Sequence, residues 1–356
     1  MRAALLNEAT DAAPGRRLRP VRLPPVALAA AAVVIGAGAV VAMAVSSQQT
    51  RPTGASAAAR TPAPSHLAAS TPPGGLPTVP DIVRGIPPAL MTDTGVPVVV
   101  LGRASDGRFV VTTPCGRRAL ITSGAPLYGA TVVIDPGHGG PIDTGAVQNG
   151  IIERDLNLAV ADALADDLRG RGISVVLTRT ADYGAILPTR AALADALGAR
   201  LMVSIHHNSA PSQPPTTDMP GTEVFVQASA DSRRLGGLLY RGVTAALSAA
   251  YPIAWYHLPD AGVLRVTQGD GLETYGMIRN PSTTTALIEM GWLSSATEAD
   301  AVYTSATYVP IAAKALGDAI GRYLVGAYAA VGVGHRTFTA TPARGTDECG
   351  DPALQR

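Results

Sequence analysis

The 356-residue chain has two cysteines, Cys115 and Cys349, and that scarcity excludes two architectures. A small disulfide framework needs more, and so does a zinc cluster built from thiolates. Aromatic residues make up 4% of the chain while hydrophobic residues make up 47%, so any core is assembled mainly from Ala, Val, Leu and Ile. Net charge is lacking too: the formal value is +1, which argues against a nucleic-acid binder driven by phosphate neutralisation. Lysine is almost missing, with Lys314 alone among 28 basic residues, a bias we attribute to GC-rich codons rather than to chemistry. Two catalytic signatures are also absent. No H-E-x-x-H run and no G-x-S-x-G elbow occurs, so neither a thermolysin-type helix nor a serine-hydrolase turn is present.

The length allows two domains, or one with appendages, and the pattern favours the second. Residues 1–23 are polar, with Arg16, Arg17, Arg19 and Arg22 just ahead of an uncharged run from Leu23 to Val45. A run of about 20 apolar residues crosses a bilayer as a helix, and basic residues before it predict an inside amino terminus and an outside remainder. The expectation is a cytoplasmic terminus (1–23), a membrane anchor or signal segment (24–46) and an extracytoplasmic remainder. Ala42-Met43-Ala44 fits a signal-peptidase site, but the run is longer than a usual signal core, which favours a retained anchor. Residues 47–90 are rich in Pro, Thr, Ser and Ala and read as an extended linker. Export would permit Cys115 and Cys349 to pair; their spacing decides nothing.

Residues 91–128 hold short β-rich runs, PVVVLG, RFVVTTPCG and RRALIT, which predict a hairpin or small meander packed on the main domain, too small to be stable alone. From 129 to 326 strand-like and helix-like segments alternate, which predicts an α/β domain. The strands expected are Val132–Asp135, Ser174–Arg179, Leu201–His206, Thr222–Gln227 and Thr284–Met290; the helices are Arg154–Arg169, Thr189–Leu197, Ser232–Ala250 and Tyr308–Leu324. In the first helix Leu156, Val160, Ala163, Leu164 and Leu168 share one apolar face. Residues 327–356 are unpatterned and read as a flexible tail without a function.

Four residues in this domain carry chemistry. His138 stands in a Pro-Gly-His-Gly-Gly loop after a strand, where open α/β sheets build sites. Glu153 opens a helix, a place the helix dipole alone would favour for a carboxylate. In LMVSIHHN, alternation puts Ser204, His206 and Asn208 on one face and Ile205 with His207 on the other, so the two histidines do not bind one ion as a pair. Which of them is the ligand stays open on this ground. Glu289 lies near the end of the apolar strand TTTALIEMGWL, and a carboxylate there needs a metal, a cation or a catalytic duty. Two histidines and two glutamates match a catalytic zinc site of the His/His/Glu type with a separate carboxylate as proton carrier.

In order, VVIDPGHGG, ERDLNLA, SVVLTR, SIHHN and ALIEMGWLSS resemble the zinc-dependent N-acetylmuramoyl-L-alanine amidases of bacterial cell walls. The likeness runs through most of residues 131–325. It implies one Zn²⁺ held by His138, Glu153 and His206, with Glu289 as the catalytic glutamate and motif register selecting His206 over His207. It also implies a mixed, mostly parallel sheet with helices on both sides. The activity implied is hydrolysis of the amide between N-acetylmuramic acid and L-alanine, with peptidoglycan as substrate and the membrane as a partner of the amino-terminal segment. Two other readings share these residues: a catalytically silent peptidoglycan-binding or regulatory protein, and a zinc peptidase cutting within the stem peptide. Neither Ser209–Met219 nor Tyr251–Asp270 reads as a strong helix, so an open cleft is expected. Arg279 and Asn280 are candidates for substrate contact or simply an exposed pair, and Asn157 lies one turn from Glu153.

Overall fold

The computed structural model describes residues 85–209, 221–253, 255, 262–328, 332–338 and 349–356. Five short strands come first: β1 (Ala89–Met91), β2 (Pro97–Arg103), β3 (Phe109–Thr112), β4 (Arg118–Ile121) and β5 (Ala125–Leu127). There follow β6 (Val132–Pro136), a hairpin of β7 (Val147–Gln148) and β8 (Ile151–Ile152), α1 (Glu153–Gly170), β9 (Val175–Leu177), α2 (Leu187–Ala196) and β10 (Leu201–Asn208). Next are β11 (Glu223–Val226), α3 (Ala230–Ala250), β12 (Val263–Gln268), the single turn α4 (Gly276–Arg279) and β13 (Thr285–Trp292). A short α5 (Ala296–Glu298) runs into a π-helical turn at Ala299–Tyr303, and α6 (Tyr308–Leu324) and β14 (Gly334–Phe338) complete the order.

The main sheet runs β14-β12-β11-β13-β10-β6-β9. Only the β11–β13 pairing is antiparallel, so the sheet is mixed and mostly parallel, as expected. β6 is buried at all five residues, the pattern of a strand covered on both faces. One face, with Val132, Ile134, Val203, Ile205 and Ile288, packs under α1, α3 and α6. The other, with Val133, Met202, Phe225 and Leu287, meets α2, α4 and the first sheet through Ala89, Val99 and Leu127.

Packing, not surface charge, fixes α1. Val160, Leu164 and Leu168 are fully buried, each contributing about 1.5–3 kcal/mol. The exposed Arg169–Asp166 pair at 3.4 Å is worth a fraction of that. The Asn149-Gly150 turn of the β7–β8 hairpin feeds straight into this helix, so Glu153 enters at a defined angle.

The first sheet is antiparallel throughout, in the order β4-β3-β2-β1-β5. Leu90, Val98, Val111 and Ile121 close around Tyr183 of the main domain and Leu354 of the tail. Thr180 Oγ1 donates to the Gly95 carbonyl at 2.6 Å, and Ile186 N and Thr189 Oγ1 donate to the Pro114 carbonyl at 3.0 and 2.7 Å. The sheet thereby braces residues 180–189, which lead into α2.

Several expectations need correction. The predicted tail contains β14, an edge strand parallel to β12, and residues after it return to the first sheet. Cys349 is bonded to Cys115, Asp351 accepts from Cys115 N at 2.8 Å and from Arg117 Nη1 at 2.9 Å, and Thr94 Oγ1 donates to the Ala353 carbonyl at 2.6 Å. Local pattern misses such segments because their partners are remote in sequence: an open sheet edge recruits a strand through backbone groups alone. β12 falls where a lid segment was considered, and β1 begins at Ala89, inside the predicted linker. The basic terminus and the apolar run, most of the linker, and residues 210–219, 254 and 256–261 of the lid candidates lie outside the described residues. Among the described residues no helix is long and apolar enough to cross a membrane.

Candidate metal centre

The carboxyl ends of the adjacent strands β13, β10 and β6 deliver Glu289, His206 and the Pro136–His138 turn to one place. Glu153 meets them from the start of α1. His138 Nε2 and His206 Nδ1 each lie 3.1 Å from Glu153 Oε1, and the two imidazoles meet edge to face with centroids 4.9 Å apart. His207 points to the opposite face, as alternation requires, and is buried.

The turn is held in an uncommon conformation. His138 has φ +61°, a left-handed value that a side chain adopts only when its surroundings impose it. Two buried arginines impose it. Arg190 Nη1 donates to the Pro136 carbonyl at 2.7 Å and Nη2 to the His138 carbonyl at 2.7 Å. Arg179 donates to the Pro136 and Gly137 carbonyls, both at 3.0 Å. Beneath them Asp135 accepts from Thr178 at 2.5 Å, Ser204 at 2.6 Å and Arg190 at 3.0 Å. Burial opposes its ionisation, but the Arg190 charge and the two hydroxyls outweigh that and hold its carboxyl below the usual range. Glycine is required at 137, where a Cβ would overlap the His206 ring, and at 145, where it would strike Glu153 and His138.

A second network orients Glu153. Asn157 Nδ2 donates to the Gly137 carbonyl at 3.2 Å and to Glu153 Oε1 at 3.3 Å, so its Oδ1 is the acceptor for His207 Nδ1 at 2.7 Å. His207 Nε2 is then bare and accepts from the Tyr308 hydroxyl at 2.6 Å. Burial pushes the His207 imidazole down to about 3, so it is neutral. Ala146 N donates to Glu153 Oε2 at 2.9 Å.

The donor set fits a cation. Tetrahedral ligands about 2.0–2.1 Å from zinc stand roughly 3.3 Å apart, and the ligand atoms of His138, Glu153 and His206 lie within 4.8 Å of one another. His138 Nδ1 is engaged by Asp143 at 2.6 Å, which turns Nε2 inward and fixes the tautomer a metal ligand needs. Burial alone would lower the His138 imidazole, yet the hydrogen bonds to Asp143 and Glu153 carry it up to about 10. Burial raises Glu153, but the two histidines hold it well below the carboxylate range. Two imidazoles converging on one carboxylate oxygen thus ask for positive charge between them. Glu289 Oε2 is buried without a hydrogen-bond partner among the described residues, and burial, then the charge of Glu153, holds its carboxyl well above the usual range.

All four predicted site residues therefore come together. Arg279 and Asn280 are exposed, and Arg279 Nη1 donates to the Glu273 carbonyl at 2.9 Å. Sequence reasoning missed Asp135, Arg179 and Arg190. For Asp135 a signal existed: it interrupts a buried β-branched run just as Glu289 does.

A family model described as N-acetylmuramoyl-L-alanine amidase matches residues 132–322, more than half of the chain. The chain is 32% identical over 220 residues to the uncharacterized protein YqiI of Bacillus subtilis (strain 168), covering 61% of this chain and 93% of that one. It is 29% identical over 200 residues to the N-acetylmuramoyl-L-alanine amidase LytC of the same organism, covering 56% of this chain and 36% of LytC. Among solved structures it is similar to the N-acetylmuramoyl-L-alanine amidase AmiC2 of Nostoc punctiforme, with 28% identity, 55% of this chain and 96% of that chain covered, and a TM-score of 0.46. The chain belongs to the N-acetylmuramoyl-L-alanine amidase family.

Proposed function

We propose that the protein hydrolyses the amide bond between N-acetylmuramic acid and L-alanine in peptidoglycan, outside the cytoplasm, with one zinc ion held by His138, Glu153 and His206. The observation that carries this reading is the convergence of His138 Nε2 and His206 Nδ1 on Glu153 at 3.1 Å each, beside a buried Glu289 oxygen with no hydrogen-bond partner among the described residues. Zinc suits two imidazoles and one carboxylate, the donor set of catalytic sites that keep a position open. When bound, the ion supplies Lewis acidity toward the amide carbonyl and lowers the pKa of water.

The chain's own residues do the rest. Asp143 keeps the His138 tautomer, and Asn157 with His207 and Tyr308 orients Glu153. Glu289 takes the proton from the attacking water and returns it to the departing L-alanine amine; its Oε2, buried with no hydrogen-bond partner among the described residues, is left for that exchange. An export segment at 24–46 would bring the site to its substrate.

Digestion of purified peptidoglycan by the full chain, with products identified by mass spectrometry, tests the reading. Intact stem peptides with a free L-alanine amine are expected. Shorter peptides with the muramyl bond intact would overturn it in favour of a peptidase.

A further inference from the structure

The Cys115–Cys349 bond is seated against the segment that packs on the metal turn. Cys349 Sγ lies 3.3 Å from where a Cβ at Gly184 would stand, and Gly184 N lies 2.7 Å from where a Cβ at Gly140 would stand. Sulfur, Gly184 backbone and Gly140 backbone are therefore stacked, and Gly140 is two residues from His138. The neighbours of Gly184 hold the same turn. Gly140 N donates to Asp182 at 2.8 Å, and a Cβ at Gly139 would strike the Tyr183 carbonyl. Arg154, next to Glu153, donates to the Gly140 carbonyl at 2.5 Å and lies 3.3 Å from Asp182. Residues 182–184 thus touch the segments that carry His138 and Glu153. From the other side, Tyr183 is packed in the core of the first sheet, and Arg117 Nη2 donates to the Cys349 carbonyl at 2.9 Å. Both cysteines are half-buried, with exposed Gly116 and Gly350 beside them, so the bond is within reach of a small reductant.

We propose that this disulfide is a redox switch on the metal centre: closed, it holds residues 182–184 against the His138 turn, and opened, it lets that turn slacken and lowers the affinity for the ion. The inference rests on the reading of His138, Glu153 and His206 as metal ligands. A dithiol opens the bond by exchange. The Sγ–Sγ bond breaks, Cys115 and Cys349 each take an electron and a proton, and the dithiol is oxidised to its own disulfide. Two thiol sulfurs need more room than a bonded pair, so Cys349 shifts on Gly184, and the carboxyl-terminal segment loses its covalent tie to the first sheet. His138 is held at a left-handed φ of +61°, so a turn released from its packing relaxes away from that value. An oxidising compartment closes the bond and a reducing one keeps it open. For an exported hydrolase the switch keeps metal retention low until the chain has left the cytoplasm.

The test is the Zn²⁺ affinity of the full chain, measured by competition with a chromophoric chelator, before and after reduction by a dithiol that is removed by gel filtration under nitrogen. Reduction should weaken binding about tenfold, the lower end of the effect of groups that orient a metal ligand, and reoxidation should restore it. Cys115→Ser/Cys349→Ser should bind like the reduced chain and ignore the dithiol; should that variant fail to fold, the reduced and reoxidised wild type carry the comparison. Hydrogen exchange at the Gly140 amide should rise on reduction. Equal affinity of the oxidised and reduced chains overturns the switch and leaves the metal reading intact, whereas no Zn²⁺ binding by the oxidised chain overturns both. A folded double variant that still responds to the dithiol, or weaker binding with unchanged exchange at Gly140, also overturns the proposal, because the effect would then bypass the bond or the turn.

Discussion

Arg190 and Asp135 form a buried ion pair, 3.0 Å apart with side chains 2% and 1% exposed, directly beneath the turn that carries His138. The same guanidinium bonds the carbonyls of Pro136 and His138, so one side chain neutralises the core carboxylate and clamps the loop. Removing one partner of a buried pair costs about 3–5 kcal/mol, because the other charge is left uncompensated. Arg190→Met should lose stability by that amount in urea denaturation, and Asp135→Asn/Arg190→Met should regain part of it. A loss under about 1 kcal/mol in the single variant would show that the pair does not hold the turn.

Metal retention and turnover should separate by residue. His138→Ala removes a donor and should lower metal content, read by elemental analysis of the purified protein. Glu289→Gln keeps all three donors and should retain metal while losing roughly 100-fold or more in kcat, the scale of a lost general base. A fully active Glu289→Gln would refute the proton-transfer role.

Glu298 predicts a pH dependence of stability. It is fully buried, accepting from Gly221 N at 2.8 Å, Trp292 N at 2.6 Å and the Tyr303 hydroxyl. Burial pushes its carboxyl up to about 7, more than these bonds hold it down. The unfolded chain loses this proton near 4.5, so the folded protein binds the extra proton between those values. Its contribution is fully present below pH 4.5 and is lost as pH rises through 7, about 3 kcal/mol in all. Denaturation midpoints measured from pH 4 to 8 should show that fall, and Glu298→Gln should flatten it. An unchanged slope in the variant would assign the effect elsewhere.

The Cys115–Cys349 bridge spans 234 residues and ties the carboxyl-terminal segment to the first sheet. Cys115→Ser/Cys349→Ser should cost about 2–5 kcal/mol and raise hydrogen exchange at residues 349–356. Exchange there as slow as in the wild type would mean that Asp351 and Ala353 suffice to hold the segment.

Much of this protein was readable from local pattern. The β-branched run before Pro136, the apolar stripe of α1 and the alternation in LMVSIHHN fix strand, helix and facing by periodicity, and periodicity is a property of neighbours in sequence. Alternation put His206 and His207 on opposite faces, the choice of His206 came from the family resemblance, and a carboxylate in an apolar strand marked Glu289. Tertiary structure decided what depends on distant partners. It paired β14 with β12, closed Cys349 onto Cys115, and placed Arg179 and Arg190 under the turn, where backbone carbonyls with no sequence signature are their partners. It also drew His138, Glu153 and His206 to within reach of one ion, because only the parallel register of β6 and β10 and the packing of α1 set those side chains side by side.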